Sequence, residues 1–567
     1  MTARKRITGI LAVGVTAVLL LSGCSGNGPE SADQASSSSA ATPKKGGTVY
    51  MLQNADFSYL DPARGWDGGV NAFYRLLYRG LTMQNAGDAK DPNAIVPDLA
   101  ESLGTPSDDG LTWTYKLKDD LKFDDGTPIT SAEVKFGISR AWDPQIGIGS
   151  PYLKAVIDAP GDYQGPYVSG DIPTIETPDA KTIVFHLKQP FPEFDNVLAQ
   201  PNAVPFPKGS GGGDSFIKDV IASGPYTLAS YTPGSVIKLE RNKYWDSKTD
   251  DVRKAYPDAW QVNLGIDPAT IDERMISGQG DDADAIAGKI SAATLPRLQT
   301  PQLKARVISA PAFCTTYLGM NTTRPPFDKV ETRQAVNWAL DRSAVQNASG
   351  GTQLADVATT IIPPAVSGHA DFDLWKSKDG KGDPEKAKEL LAKAGLPDGF
   401  TFTMDIRSQP AMQAQAEAVQ ESLKRAGITV KLNVIDTSVY YETIGTPAQQ
   451  HDAAITGWCP DWASSASTFI PPLFDGRKVT EKGNNNLSQL NDPAVNARID
   501  EIMTMTDTDA AKKAWGDLDK QILELSPIAP LVWEKGLFLP GTNIAGYRPS
   551  TNMTDLTIVG LKDPSKG

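Results

Sequence analysis

From Asp383 to Val434 the chain spells helix, strand, helix and strand in succession. That order admits few folds outside the α/β class. Asp383-Pro384 supplies an N-cap followed by proline at the first helical position, and Ala387, Leu390, Leu391 and Ala394 line one face before Gly395 ends the helix. A strand is expected over Thr401–Arg407, a helix from Ala411 to Arg425 stopped by Ala426-Gly427, and a half-buried strand over Ile428–Val434. The same grammar runs through the rest of the chain. Leu111, Trp113, Tyr115 and Leu117 alternate with polar residues, as do Ile183, Phe185 and Leu187, so each run buries one face of a sheet. Thr130-Ser-Ala-Glu133 is a capping box for a helix that turns Val134, Ile138, Ala141 and Trp142 inward. Strands are expected at Gly46–Leu52 and Thr315–Asn321, a hairpin at Gly224–Leu228 and Ser235–Glu240, and a helix over Ala72–Leu81.

The amino terminus has a different purpose. Arg4, Lys5 and Arg6 precede an apolar run from Ile7 to Leu21, shorter than the roughly 20 residues a spanning helix needs. Leu21-Ser22-Gly23-Cys24 follows and looks like a bacterial lipobox, so residues 1–24 read as an export signal cut before a cysteine that takes a diacylglycerol anchor. Residues 25–45 are rich in Ser, Ala and Gly and read as a flexible tether, reaching on the order of 25 Å. About 520 residues remain, too many for one core, and two or three domains are expected. A net charge of −13 argues against nucleic acid and against a basic membrane-surface patch. With Cys24 committed to lipid, Cys314 and Cys459 are left. Two cysteines in an exported chain favour a disulfide, the alternative being two buried thiols.

The stretch most suited to chemistry is Asp452-Ala-Ala-Ile-Thr-Gly-Trp-Cys-Pro-Asp-Trp462. It starts as an apolar strand and is expected to break at Gly457. It then presents Trp458, Cys459, Pro460, Asp461 and Trp462 together. A carboxylate beside indole faces suits a ligand with a cationic head and variable apolar parts, because the charge fixes the head and the rings supply area without demanding one shape. The plainer alternative makes both tryptophans core and Asp461 a turn residue.

The chain resembles the extracellular solute-binding proteins of ABC importers, in the dipeptide/oligopeptide-binding class (family 5), from about residue 46 to 550. The resemblance is carried by Leu60-Asp61-Pro62, by Leu117–Pro128 with Ser131-Ala-Glu-Val134, and by Ser223–Leu228 with Arg241-Asn-Lys-Tyr-Trp245. It continues in Leu318-Gly-Met-Asn321, Val330–Val336, Trp338-Ala-Leu-Asp341 and Gly457-Trp458 with Asp461. It implies a two-lobed periplasmic-binding-protein-like α/β fold with an extra subdomain, and a ligand cleft between lobes joined by two hinge strands. Lobe I would be 46–320 completed by 531–567, with the subdomain near 88–200, and lobe II 321–530. The hinge would lie near Leu318–Asn321 and Ala529–Val532. Asp461 would receive the α-ammonium of a peptide, with Trp458, Cys459, Pro460 and Trp462 beside it. Gly65 and Trp66 would approach from lobe I, and Asn485 and Arg407 from lobe II, Arg407 as a carboxylate partner or as a solvated strand-end arginine.

Implied partners are an oligopeptide, the permease subunits with their cytoplasmic ATPase subunits, and the membrane through Cys24. The receptor is expected to be a monomer outside the cytoplasmic membrane, with no cofactor and no metal. Oligosaccharide or metal-chelate cargo is the alternative within the class. His186, His369 and His451 lack paired-ligand spacing for free nickel. A secreted hydrolase is the alternative outside it, and no G-x-S-x-G, H-E-x-x-H or P-loop pattern occurs.

Overall fold

The computed structural model describes residues 41–566, apart from 58, 67, 86–90, 92, 147–148, 212–215, 217–219, 438 and 550–553. The export signal, Cys24 and nearly all of the tether lie outside the described residues. Among the described residues no helix is long and apolar enough to cross a membrane.

Three larger sheets organise the chain. A five-stranded sheet runs in the order Ala285–Ala287, Thr48–Leu52, Ala259–Asn263, Val236–Arg241, Tyr226–Thr232. Its core includes Phe73 and Tyr74 of the helix Gly68–Leu77 together with Trp260. A four-stranded sheet holds Thr112–Lys116 against Thr182–His186, and Trp113, Tyr115, Ile183 and Phe185 point into its core, as their alternation requires. The capping box forms: Thr130 and Glu133 close the start of Ser131–Ser139 from both sides. The six-stranded sheet runs Ala355–Val357, Ile528–Phe538, Ile308–Met320, Ala453–Trp458, Phe400–Arg407, Ile428–Ile435. Phe400–Arg407 and Ile428–Ile435 are parallel, with the helix Pro410–Lys424 as their crossover.

Two long strands join these regions. Ile308–Met320 pairs antiparallel with Ile528–Phe538. Ile308, Ala310 and Phe538 belong to the core of the five-stranded sheet. Leu318, Met320, Ala529 and Leu531 belong to the core that holds Phe402 and Val419. The pair therefore passes from one core to the other, and its register slips between Ala310 and Cys314. That passage lies a few residues before the Leu318–Asn321 segment named from sequence.

Two expectations need correction. The helix expected to reach Leu81 ends at Leu77, because Leu81 turns away into the core of the four-stranded sheet while Phe73 and Leu77 stay in the other. The strand expected to break at Gly457 runs through it to Trp458, with Gly457 opposite Thr316 and Trp458 opposite Thr315. Pairing with the long strand holds Gly457 extended. Pro460, which has no N–H to give a ladder, follows just past the strand's end.

Candidate functional site

The strand Ala453–Trp458 delivers the Asp452–Trp462 stretch to the point where the three regions meet. One residue beyond the Trp458–Thr315 pair, Cys459 faces Cys314, and the two form a disulfide with S–S 1.99 Å and Cα–Cα 4.3 Å. The Cα separation is that of a closely spaced antiparallel pair. The loop that follows is tied by Thr468 at two places. The indole N–H of Trp458 donates to its carbonyl at 2.8 Å, and the backbone N–H of Asp461 donates to its Oγ1 at 3.1 Å.

Asp461 accepts a hydrogen bond from the hydroxyl of Tyr152, 309 positions earlier in the chain. Burial pushes its carboxyl up to about 6, and the Tyr152 hydrogen bond opposes that rise. The Tyr152 phenol is itself raised, by burial first and by the Asp461 charge second. Tyr152 packs against Trp462 with ring centroids 4.7 Å apart, and Trp66 meets Tyr152 edge-on at 6.2 Å. Asp461 and Trp462 face a small cavity of ≈ 70 Å³ that reaches Tyr74, Gln84 and Asn196. A larger one of ≈ 360 Å³ is lined by Tyr317, Tyr441, Thr456, Trp458 and Asn485.

Five of the candidate residues fall into two groups. Asp461, Trp462 and Trp66 converge on Tyr152. Trp458 and Asn485 face the larger cavity. Arg407 stands beside that cavity: its guanidinium carbon lies 5.5 Å from the Tyr441 ring centroid, and its Nη1 donates to the Tyr441 hydroxyl at 3.3 Å. The Arg407 Nε is buried without a hydrogen-bond partner. Pro460 is buried and Cys459 exposed.

Gly65 is also buried, and its N–H donates to the Asp61 carbonyl at 3.0 Å. A Cβ there would sit 2.1 Å from the Tyr74 hydroxyl, which donates to the carbonyls of Tyr59 and Asp61. Gly65 therefore shapes the turn that presents Trp66. Gly65→Ala is expected to cost about 1–3 kcal/mol of stability by overpacking, read from urea unfolding; an unchanged midpoint would remove this role. The neighbouring Asp61 is structural as well: one oxygen accepts from the Ala63 N–H, and the other pairs with buried Arg140 at 2.6 Å.

Tyr152, Glu193, Tyr317 and Tyr441 were not singled out from sequence. Glu193 accepts from the Trp462 indole N–H at 2.8 Å and from the Ser467 hydroxyl at 2.5 Å.

Residues 94–480 match the family described as bacterial extracellular solute-binding proteins, family 5 (middle region). The glutathione-binding protein GsiB of Escherichia coli O6:K15:H31 (strain 536 / UPEC) is 29% identical over 525 residues, covering 88% of this chain and 91% of the relative. Among solved structures, the clavulanic acid biosynthesis oligopeptide binding protein 2 is 35% identical with a TM-score of 0.87, covering 92% of this chain and 96% of the other. The periplasmic binding protein DppA from Helicobacter pylori, in complex with the peptide STSA, shares the fold at a TM-score of 0.69 and 22% identity, covering 92% of this chain and 99% of the other. The chain belongs to the bacterial extracellular solute-binding proteins, family 5, and has their two-lobed α/β fold.

Proposed function

We propose that this chain is the binding subunit of an ABC importer. It captures oligopeptides, dipeptides included, in a cleft that closes between its lobes, and hands them unchanged to the membrane permease. The observation that carries this reading is Asp461. It is a shielded carboxylate at a strand end, flanked by aromatic faces from two parts of the chain. In such a place an ammonium group gains a charge-assisted hydrogen bond under weak solvent screening. Trp458, Tyr317 and Tyr441 offer the larger cavity to the rest of the ligand, and Arg407 offers a cation for a carboxylate. The names of the relatives support peptide cargo. Glutathione, named for one of them, is a small peptide with a free ammonium and two carboxylates.

In this reading lobe I is 46–320 with 531–567, its extra subdomain lies near 88–200, and lobe II is 321–530. Residues 1–24 direct export. Cys24 carries the lipid that holds a monomeric receptor on the outer face of the membrane, at the end of the 25–45 tether.

Native mass spectrometry of the mature chain, purified without added ligand, tests the class of cargo. Retained masses matching small peptides are expected, and a retained sugar would overturn the peptide assignment. Calorimetry then compares trialanine with its N-acetylated and C-amidated forms. N-acetylation is expected to weaken binding about thirtyfold or more; equal affinity would remove the ammonium role of Asp461. Arg407→Gln is expected to weaken trialanine about tenfold and to leave the amidated peptide unchanged. An equal effect on both would make Arg407 a wall residue only.

A further inference from the structure

We infer that Trp462 and Glu193, assisted by Tyr152, form a latch across the cleft that holds the protein closed before ligand arrives and governs how long a ligand stays. Between residues 462 and 463 the chain passes from one core to another. Trp462 is 3% exposed and packs among Leu81, Trp113 and Phe194 in the core of the four-stranded sheet. Its neighbours Ala463, Ala466 and Phe469 pack with Trp515 and Ile499 in a core fed by the helices Pro493–Met503 and Thr508–Leu525. One indole is therefore borrowed by the opposite side.

The polar contacts follow the same line. Glu193 stands at the N-cap of the helix Phe194–Leu198 but makes no cap hydrogen bond with its side chain. Its carboxylate instead accepts from Trp462 at 2.8 Å and Ser467 at 2.5 Å, and Ser464 donates to Asn196 of the same helix at 2.8 Å. Tyr152 adds a donor to Asp461. Parting the two sides would expose the indole and strip a buried carboxylate of its donors, so these contacts weight the equilibrium toward closure without any ligand. A ligand that enters a partly pre-closed cleft meets less cost on binding. The contacts must break again before it leaves.

This inference rests on the two-sided receptor reading but not on the identity of the cargo. Small-angle X-ray scattering on ligand-free protein tests it directly, using wild type, Glu193→Ala and Trp462→Phe, the last keeping an aromatic ring while losing the N–H. Wild type is expected to scatter as the compact form with or without trialanine. Each variant should expand when empty, with a closed-to-open ratio about tenfold lower, and recompact with saturating trialanine. Trialanine dissociation should be about tenfold faster in stopped flow, and association faster too, because the same contacts must open to admit the peptide. Glu193→Gln, which keeps an acceptor, should fall between wild type and Glu193→Ala. An unchanged thermal midpoint would separate a latch from general structural support. Wild type already expanded when empty, or variants as compact as wild type with unchanged dissociation, would overturn the latch. Variants that expand but recompact with no peptide would support the latch and overturn the peptide reading.

Discussion

Asp461→Asn is expected to weaken trialanine binding by about 2–5 kcal/mol, the cost of removing one partner of a buried ionic hydrogen bond. At about 1.4 kcal/mol per decade that is thirtyfold or more. The substitution is nearly isosteric and keeps an oxygen for the Tyr152 hydroxyl, so the loss should report charge and not shape. The wild-type carboxyl, raised by burial to about 6, makes the same interaction pH-dependent. Only the ionised form receives an ammonium, so protons compete with ligand. Affinity should be fully present above about pH 7 and fall by up to about tenfold per unit as pH drops through and below 6. The ligand's own amino group stays charged below about pH 8 and does not cancel this trend. Glu193 also titrates upward of its usual range because of burial, but it is unchanged in the variant. The decisive comparison is therefore calorimetry of both proteins between about pH 5 and 8. A parallel fall in wild type and Asp461→Asn, or less than a threefold difference at neutral pH, would remove the ammonium anchor.

What the sequence made legible was local. The helix Pro384–Lys393 begins where Asp383-Pro384 says it should, with the Asp383 side chain accepting from the Lys386 N–H. The alternation around Trp113 and Phe185 forecast the buried face of the four-stranded sheet. Both signals are written within a few residues. Gly457 misled because a glycine reads as a breaker until its partner strand is known, and Thr316 holds it in register. Leu81 misled because helical spacing cannot say which of two cores a leucine will enter.

The site shows the same limit more sharply. Trp458 and Trp462 look like one pair in sequence, yet the structure sends Trp458 to the larger cavity and Trp462 into the opposite core. Their partners could not be read at all. Tyr152 is 309 residues from Asp461, and Glu193 is 269 from Trp462. No spacing rule links such residues; only the path of the two long strands brings their regions together.

Replacing both Cys314 and Cys459 by serine is expected to lower stability by about 2–5 kcal/mol. The bridge spans 145 residues of sequence, and in the chain-entropy account closing a loop of that length chiefly constrains the unfolded state. The folded state already holds the two positions in register, since Thr315 to Met320 pair residue by residue with Trp458 to Ala453. The loop beyond the bridge is secured separately, by Thr468 accepting from both Trp458 and Asp461. Loss of the bridge should therefore reach the fold more than the site. Urea unfolding followed by tryptophan fluorescence should show a lower midpoint, while trialanine affinity under native conditions stays within about threefold of wild type. The opposite pattern, an unchanged midpoint with affinity lost, would mean that the bridge aims Asp461 and that Thr468 alone cannot.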